Sequence, residues 1–91
     1  MLYVIIGHDG PDAKTLRARL RESHLDYIAE CEARGMVKLA GPLTDGHGSL
    51  FLVEAAGREE ALEMAELDPY RRGGVFERLE VHPFKQVFPA P

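Results

Sequence analysis

The chain opens on an unbroken apolar run, residues 2–8 (LYVIIGH), that stops at Asp9-Gly10-Pro11. A short apolar run closed by turn residues predicts a buried strand. From Asp12 to about Arg34 the period changes. Leu16, Leu20, Tyr27, Ile28 and Cys31 fall within about a third of a helical circumference at ~100° per residue, which predicts an amphipathic helix. Gly35 follows as its C-terminal stop. Strand character returns from Met36 to Leu43, interrupted by Gly41-Pro42, and residues 44–48 (TDGHG) read as a turn into a third strand, Ser49 to Ala55. Arg58 to Leu67 is a shorter helix with Ala61, Leu62 and Ala65 on one side, closed by Asp68-Pro69. Val75 to Pro83 is a fourth strand, and the tail from Phe84 to Pro91 has little periodicity.

The order β-α-β-β-α-β, with right-handed crossovers, places two helices on one face of a four-stranded antiparallel sheet of order 4-1-3-2. This is an α+β, ferredoxin-like arrangement. Strands one and three would be central, and both are apolar on both sides: Leu2, Val4 and Ile6 against Tyr3 and Ile5, and Leu50 and Leu52 against Phe51 and Val53. Strands two and four carry Lys38, Glu77, Arg78 and Glu80, as edges do. A sheet face left to water normally alternates polar and apolar residues. The helices cover one face only, so the second is expected to pack on a partner, and a twofold copy of the chain is the simplest one. The pattern alone does not say which alternating set faces the helices.

Composition narrows this further. Ninety-one residues predict one domain, residues 1–91 with 84–91 as a tail, and a thin core. Cys31 is the only cysteine, which suits a reducing cytoplasm. No segment reaches the length of a membrane span, and the N-terminal run lacks the basic region and cleavage site of a signal peptide. At a net charge of −4, with its basic residues on several faces of the first helix, the chain is not expected to bind nucleic acid. His8, His47 and His82 lack metal-ligand spacing, and Gly46-His47-Gly48 precedes a strand and is too short for a phosphate loop. No metal and no cofactor is therefore expected.

A few residues break local rules. Continued from Leu16, the helical phase puts His24 inside the apolar stripe between Leu20 and Ile28, with Arg21 at the edge of that stripe. An imidazole there is either a neutral core histidine bonded to a carbonyl or a cleft residue able to exchange protons near neutral pH. Asp68 lies at the C-terminal end of the second helix, where the macrodipole disfavours an anion. It either caps a new short turn with Pro69 at the first position, or orients and charges a histidine. Gly41-Pro42 either ends strand two or lets backbone approach a ligand. The Ser49 hydroxyl bonds within the turn or reaches a ligand, and Tyr70 offers a further contact after Asp-Pro. Cys31, on the apolar stripe without a neighbouring base, reads as buried and inert.

Arg21-x-x-His24-Leu25, Ala40-Gly41-Pro42-Leu43, Asp68-Pro69-Tyr70, Gly74-Val75-Phe76 and Val81-x-Pro83-Phe84 stand in this order along nearly the whole chain. In this set it resembles the YciI-like (YCII-related) proteins. The resemblance implies a ferredoxin-like fold dimerised face to face, akin to dimeric α+β barrel proteins such as muconolactone isomerase. It also implies a histidine–aspartate site mapping onto His24 and Asp68. Relatives include a dehydrochlorinase of a chlorinated hydroxyhydroquinone, whereas the hairpin at Thr44 to Gly48 is shorter than in members with a long insert there. The expected activity is cofactor-free acid–base chemistry by His24 and Asp68: isomerase, lyase or dehydrochlorinase-like, on a small cyclic organic substrate. Arg21, Gly41, Pro42, Ser49 and Tyr70 are its expected binding residues. The alternative is a dimeric module that binds a small ligand without turnover.

Overall fold

A computed structural model of the protein describes residues 1–91. Seven elements follow in order: β1 (Leu2–Asp9), α1 (Ala13–Ala33), β2 (Val37–Pro42), β3 (Gly48–Glu54), α2 (Arg58–Glu66), α3 (Pro69–Arg72) and β4 (Phe76–Phe84). The strands form one antiparallel sheet in the order β2-β3-β1-β4, which is the expected ferredoxin-like arrangement. The addition is α3, a single turn inserted between α2 and β4.

Local chemistry explains where α1 stops. Gly35 adopts φ +81°. Its N–H donates to the Glu32 carbonyl at 2.9 Å, and the Met36 N–H donates to the Cys31 carbonyl at 3.0 Å. This paired closure needs a left-handed residue just past the helix, which glycine supplies without steric cost.

The register settles which face is which. Tyr3 pairs with Val53 and Ile5 with Phe51, and all four are buried beneath the helices, joined by Val81 of β4. Cys31 of α1 and Ala61, Met64 and Ala65 of α2 close this core from above. Cys31 is 1% exposed, and burial pushes its thiol up from the ordinary range, so it stays protonated and unreactive. Burial likewise drives the Tyr27 phenol upward, and its hydroxyl donates to the Met64 carbonyl, tying α1 to α2.

Val4, Ile6, Leu50 and Leu52 lie on the opposite face, where no helix covers them, with Leu39 of β2 beside them at 55% exposed. Towards β4 this face turns polar: His8 and His82 both bond Glu80 and hold its carboxyl below the usual carboxylate range.

Gly7 continues the helix-facing set of β1, but the space its side chain would fill is taken. A Cβ there would lie 2.7 Å from the Phe76 ring. Phe76, 2% exposed, packs edge-on to Phe51 and Tyr70, with centroids 6.2 and 5.8 Å away. The absent side chain thus admits an aromatic cluster close to the sheet. Gly7→Ala is expected to displace that ring and lower stability by about 1–3 kcal/mol, the usual cost of overpacking. Urea unfolding checks this, and an unchanged midpoint would show that Phe76 moves freely.

Candidate functional site

The site forms where α1 passes over α3 and the β2–β3 end of the sheet. His24 sits midway along α1, pointing inward as its helical phase requires, with its side chain 12% exposed. Asp68, 2% exposed, precedes α3. One oxygen of its carboxylate, Oδ1, accepts two hydrogen bonds: from the Tyr70 N–H at 2.9 Å and from His24 Nδ1 at 2.7 Å. The two roles open to Asp68 from the sequence, cap and histidine partner, are therefore performed by the same atom. A carboxylate can only accept, so the imidazole carries a proton on Nδ1, and in its neutral form the lone pair lies on Nε2. Nε2 makes no hydrogen bond within the chain, and the ring lines a cleft of about 220 Å³.

Tyr70 fixes the plane of the imidazole. The two rings stack with centroids 3.8 Å apart and an interplanar angle of 1°. Phe51 approaches the histidine edge-on at 6.3 Å. Pro69 at the first position of α3 is compatible with its fixed φ and missing donor, so the Asp68-Pro69-Tyr70 triplet builds the turn, caps it and presents the stacking ring.

The same cleft gathers the other residues singled out from sequence. Arg21, Gly41, Pro42, Ser49 and Tyr70 all line it, together with Leu25, Ile28, Ala40 and Phe51. Arg21 has no ion-pair partner in the chain and is exposed at the mouth. Ser49 departs from the turn role: its hydroxyl lies against α1, where it accepts from Arg17 Nη2 at 3.0 Å.

Arg17 is the residue that sequence reasoning missed. Its Nε and Nη2 donate to both oxygens of Asp9 at 2.9 and 2.8 Å, a bidentate pair, and its guanidinium carbon lies 5.2 Å from the Tyr70 ring centroid. It stands seven residues, two helical turns, before His24, so the helical phase carried a signal that its charge obscured. Asp45, near the cleft in sequence, bonds His47 at the hairpin tip instead. A larger depression of about 550 Å³ adjoins the cleft, shares Arg17 and Pro42 with it, and runs along the start of α1 and the β2–β3 hairpin, where its one histidine, His47, is exposed and pairs with the exposed Asp45. No group of three metal-binding side chains occurs, and no helix is long and apolar enough to cross a membrane.

The model of the YCII-related domain matches residues 1–85. The chain belongs to the YCII-related family. Among YCII-related proteins, it is 35% identical to protein YciI of Escherichia coli O6:H1 over 97% of this chain and 100% of that one. An uncharacterised protein of Haemophilus influenzae is 32% identical over the same shares. Among solved structures, TftG of Burkholderia phenoliruptrix, a 5-chloro-2-hydroxyhydroquinone dehydrochlorinase in complex with 2,5-dihydroxybenzoquinone, is similar with a TM-score of 0.82 and 26% identity over 93% of this chain and 94% of that one. Rv0793 of Mycobacterium tuberculosis shares the fold at a TM-score of 0.53 and 18% identity over 94% and 96%.

Substitution separates the two bonds at Asp68. Asp68→Ala removes the cap and is expected to cost about 1–2 kcal/mol, whereas Asp68→Asn retains much of the cap. Asn can also donate, so Asp68→Asn is expected to loosen the Nδ1–H tautomer of His24, read from its ¹⁵N ring shifts. An unchanged tautomer would show that Asp68 does not orient the ring.

Proposed function

We propose that the cleft is an active site in which His24 moves a proton on a small, cyclic, enolisable organic molecule without a cofactor, in an isomerisation or elimination. The observation that carries this reading is the division of the imidazole. Nδ1 is tied to a buried carboxylate at 2.7 Å, while Nε2 is unpartnered on a ring that lines the cleft. A buried histidine kept only for packing would have both nitrogens satisfied or enclosed by apolar groups. Here the carboxylate sets the tautomer that makes Nε2 a base, and it stabilises the imidazolium that forms when Nε2 accepts a proton. The Tyr70 stack prevents the ring from turning away. Unpaired Arg21 at the mouth suits an anionic substituent, and the narrow cleft between Gly41-Pro42 and α1 suits a single ring.

The structural likeness to TftG supports the same class of chemistry, since that protein is a dehydrochlorinase of a hydroxylated ring. The test is proton exchange in deuterium oxide with a panel of hydroxyquinones and cyclic enolisable ketones, alongside chloride release from 5-chloro-2-hydroxyhydroquinone. Wild type is expected to accelerate one of these, and His24→Asn to reduce that rate about 10²–10⁴-fold. Equal rates for the two proteins would remove His24 from the chemistry, and ligand binding without turnover across the panel would favour a binding module.

We also place a second copy of the chain on the open sheet face, and the protein in the cytoplasm, which accords with its single buried thiol. Val4, Ile6, Leu50, Leu52 and Leu39 form an apolar centre there that no element of the chain covers. Leu52→Glu would put a charge into that centre and is expected to yield a folded monomer by sedimentation. A wild-type monomer at micromolar concentration would overturn the assignment.

A further inference from the structure

We infer that Ser49 is the group that binds the substrate's carbonyl oxygen and stabilises the enolate made from it, with the Arg17–Asp9 pair as its positioning device. This rests on the reading of His24 as the base, and supplies the complementary acid.

Arg17 is on the wall of the cleft, yet its charge is already committed. Asp9, at the end of β1, takes two of its N–H groups in a fork, and the guanidinium carbon lies 5.2 and 5.7 Å from the Tyr70 and Phe76 ring centroids. A cation compensated in this way is poorly suited to bind a substrate carboxylate. Its remaining interaction is with Ser49, whose Oγ accepts from Nη2 at 3.0 Å. That bond occupies an acceptor site of the hydroxyl and leaves its proton without an acceptor, since Ser49 makes no other side-chain hydrogen bond. Ser49 is 3% exposed and lines the same cleft as His24. A hydroxyl that accepts from a cation is polarised, and becomes a stronger donor than a free serine. The cleft therefore presents one lone pair, on His24 Nε2, and one activated O–H, on Ser49. A carbonyl compound with an acidic C–H uses both.

The step balances without any co-reactant. Nε2 takes the proton from carbon, the C–H bonding pair becomes the C=C bond of an enolate, and the former carbonyl pair moves to oxygen, where the Ser49 O–H donates its hydrogen bond. The imidazolium then returns the proton to a different carbon, which is isomerisation. Where a β-carbon bears a halide, the enolate re-forms the carbonyl and expels the halide with the C–X pair, and His24 releases its proton to water. Ser49 changes neither charge nor bonding, as expected of a donor aimed at a developing oxyanion. The substrate class follows: a carbonyl or its enol tautomer, rather than a simple carboxylate or phosphate.

The experiment uses 2,5-dihydroxybenzoquinone as probe and reads its carbonyl band by infrared difference spectroscopy. Binding to wild type is expected to shift that band to lower frequency. Ser49→Ala should abolish the shift and weaken affinity about tenfold or more. Ser49→Thr, which retains a hydroxyl, should restore the shift. Arg17→Lys, which keeps the charge but not the fork, should diminish it while the ¹⁵N tautomer signature of His24 is retained. A Ser49→Ala protein with the wild-type band shift and affinity overturns the inference, and so does a wild type that binds the probe with no band shift or does not bind it. The His24 reading fails separately, by equal proton-exchange rates in wild type and His24→Asn. Loss of exchange in His24→Asn with Ser49→Ala unaffected would leave the base in place and remove the acid.

Discussion

The buried carboxylate of Asp68 is the constraint around which the site is organised. An anion at 2% exposure is costly unless its oxygens are bonded, and Oδ1 is bonded twice. The first bond starts a helix and the second holds a histidine from another. Because both converge on one atom, α3 cannot shift without moving the imidazole, and α1 cannot roll without exposing the carboxylate. Tyr70, the donor of the first bond, is also the ring that stacks on His24, the donor of the second. Capping, stacking and tautomer selection are thus one cooperative unit contained in three consecutive residues and one facing side chain.

Much of this was legible in the sequence. The change of hydrophobic period from continuous runs to helical spacing and back gave the element order, and the doubly apolar β1 and β3 gave the central strands. The phase of α1 put His24 inward, and an aspartate after a helix, followed by proline, marked the second partner. Other features were not legible, for physical reasons. Alternation on β1 and β3 is apolar on both faces, so only the register with β4, where Val81 is buried and His82 exposed, distinguishes the helix side from the open side. Arg17 counted only among the scattered basic residues of α1 because its compensating partner, Asp9, lies eight residues away across a turn. Ser49 stood open between a turn role and a ligand role because its partner, Arg17, comes from a helix more than thirty residues earlier. Pairings through space, rather than spacing along the chain, hid both.

The sheet serves two different environments with little material between them. On the helix side, Tyr3, Ile5, Phe51 and Val53 pack beneath α1 and α2, and on the other, Val4, Ile6, Leu50 and Leu52 meet no element of the same chain. The cleft opens on the helix side, at the end where the β2–β3 hairpin turns. His24 and Asp68 come from the same chain, so their bond does not need a neighbour on the far face to form.

The missing side chain at Gly7 ties these layers together. Phe76 occupies that space, Tyr70 leans edge-on against Phe76, and His24 lies flat on Tyr70, so a column of rings runs from the sheet backbone to the histidine. The tilt of the imidazole is therefore inherited from the floor of the fold rather than chosen at its surface. Substitution has room at the rim, at Leu25, Ile28 and Ala40, where side chains line the cleft without belonging to the column. Position 7 has no such latitude, although it carries no functional group of its own.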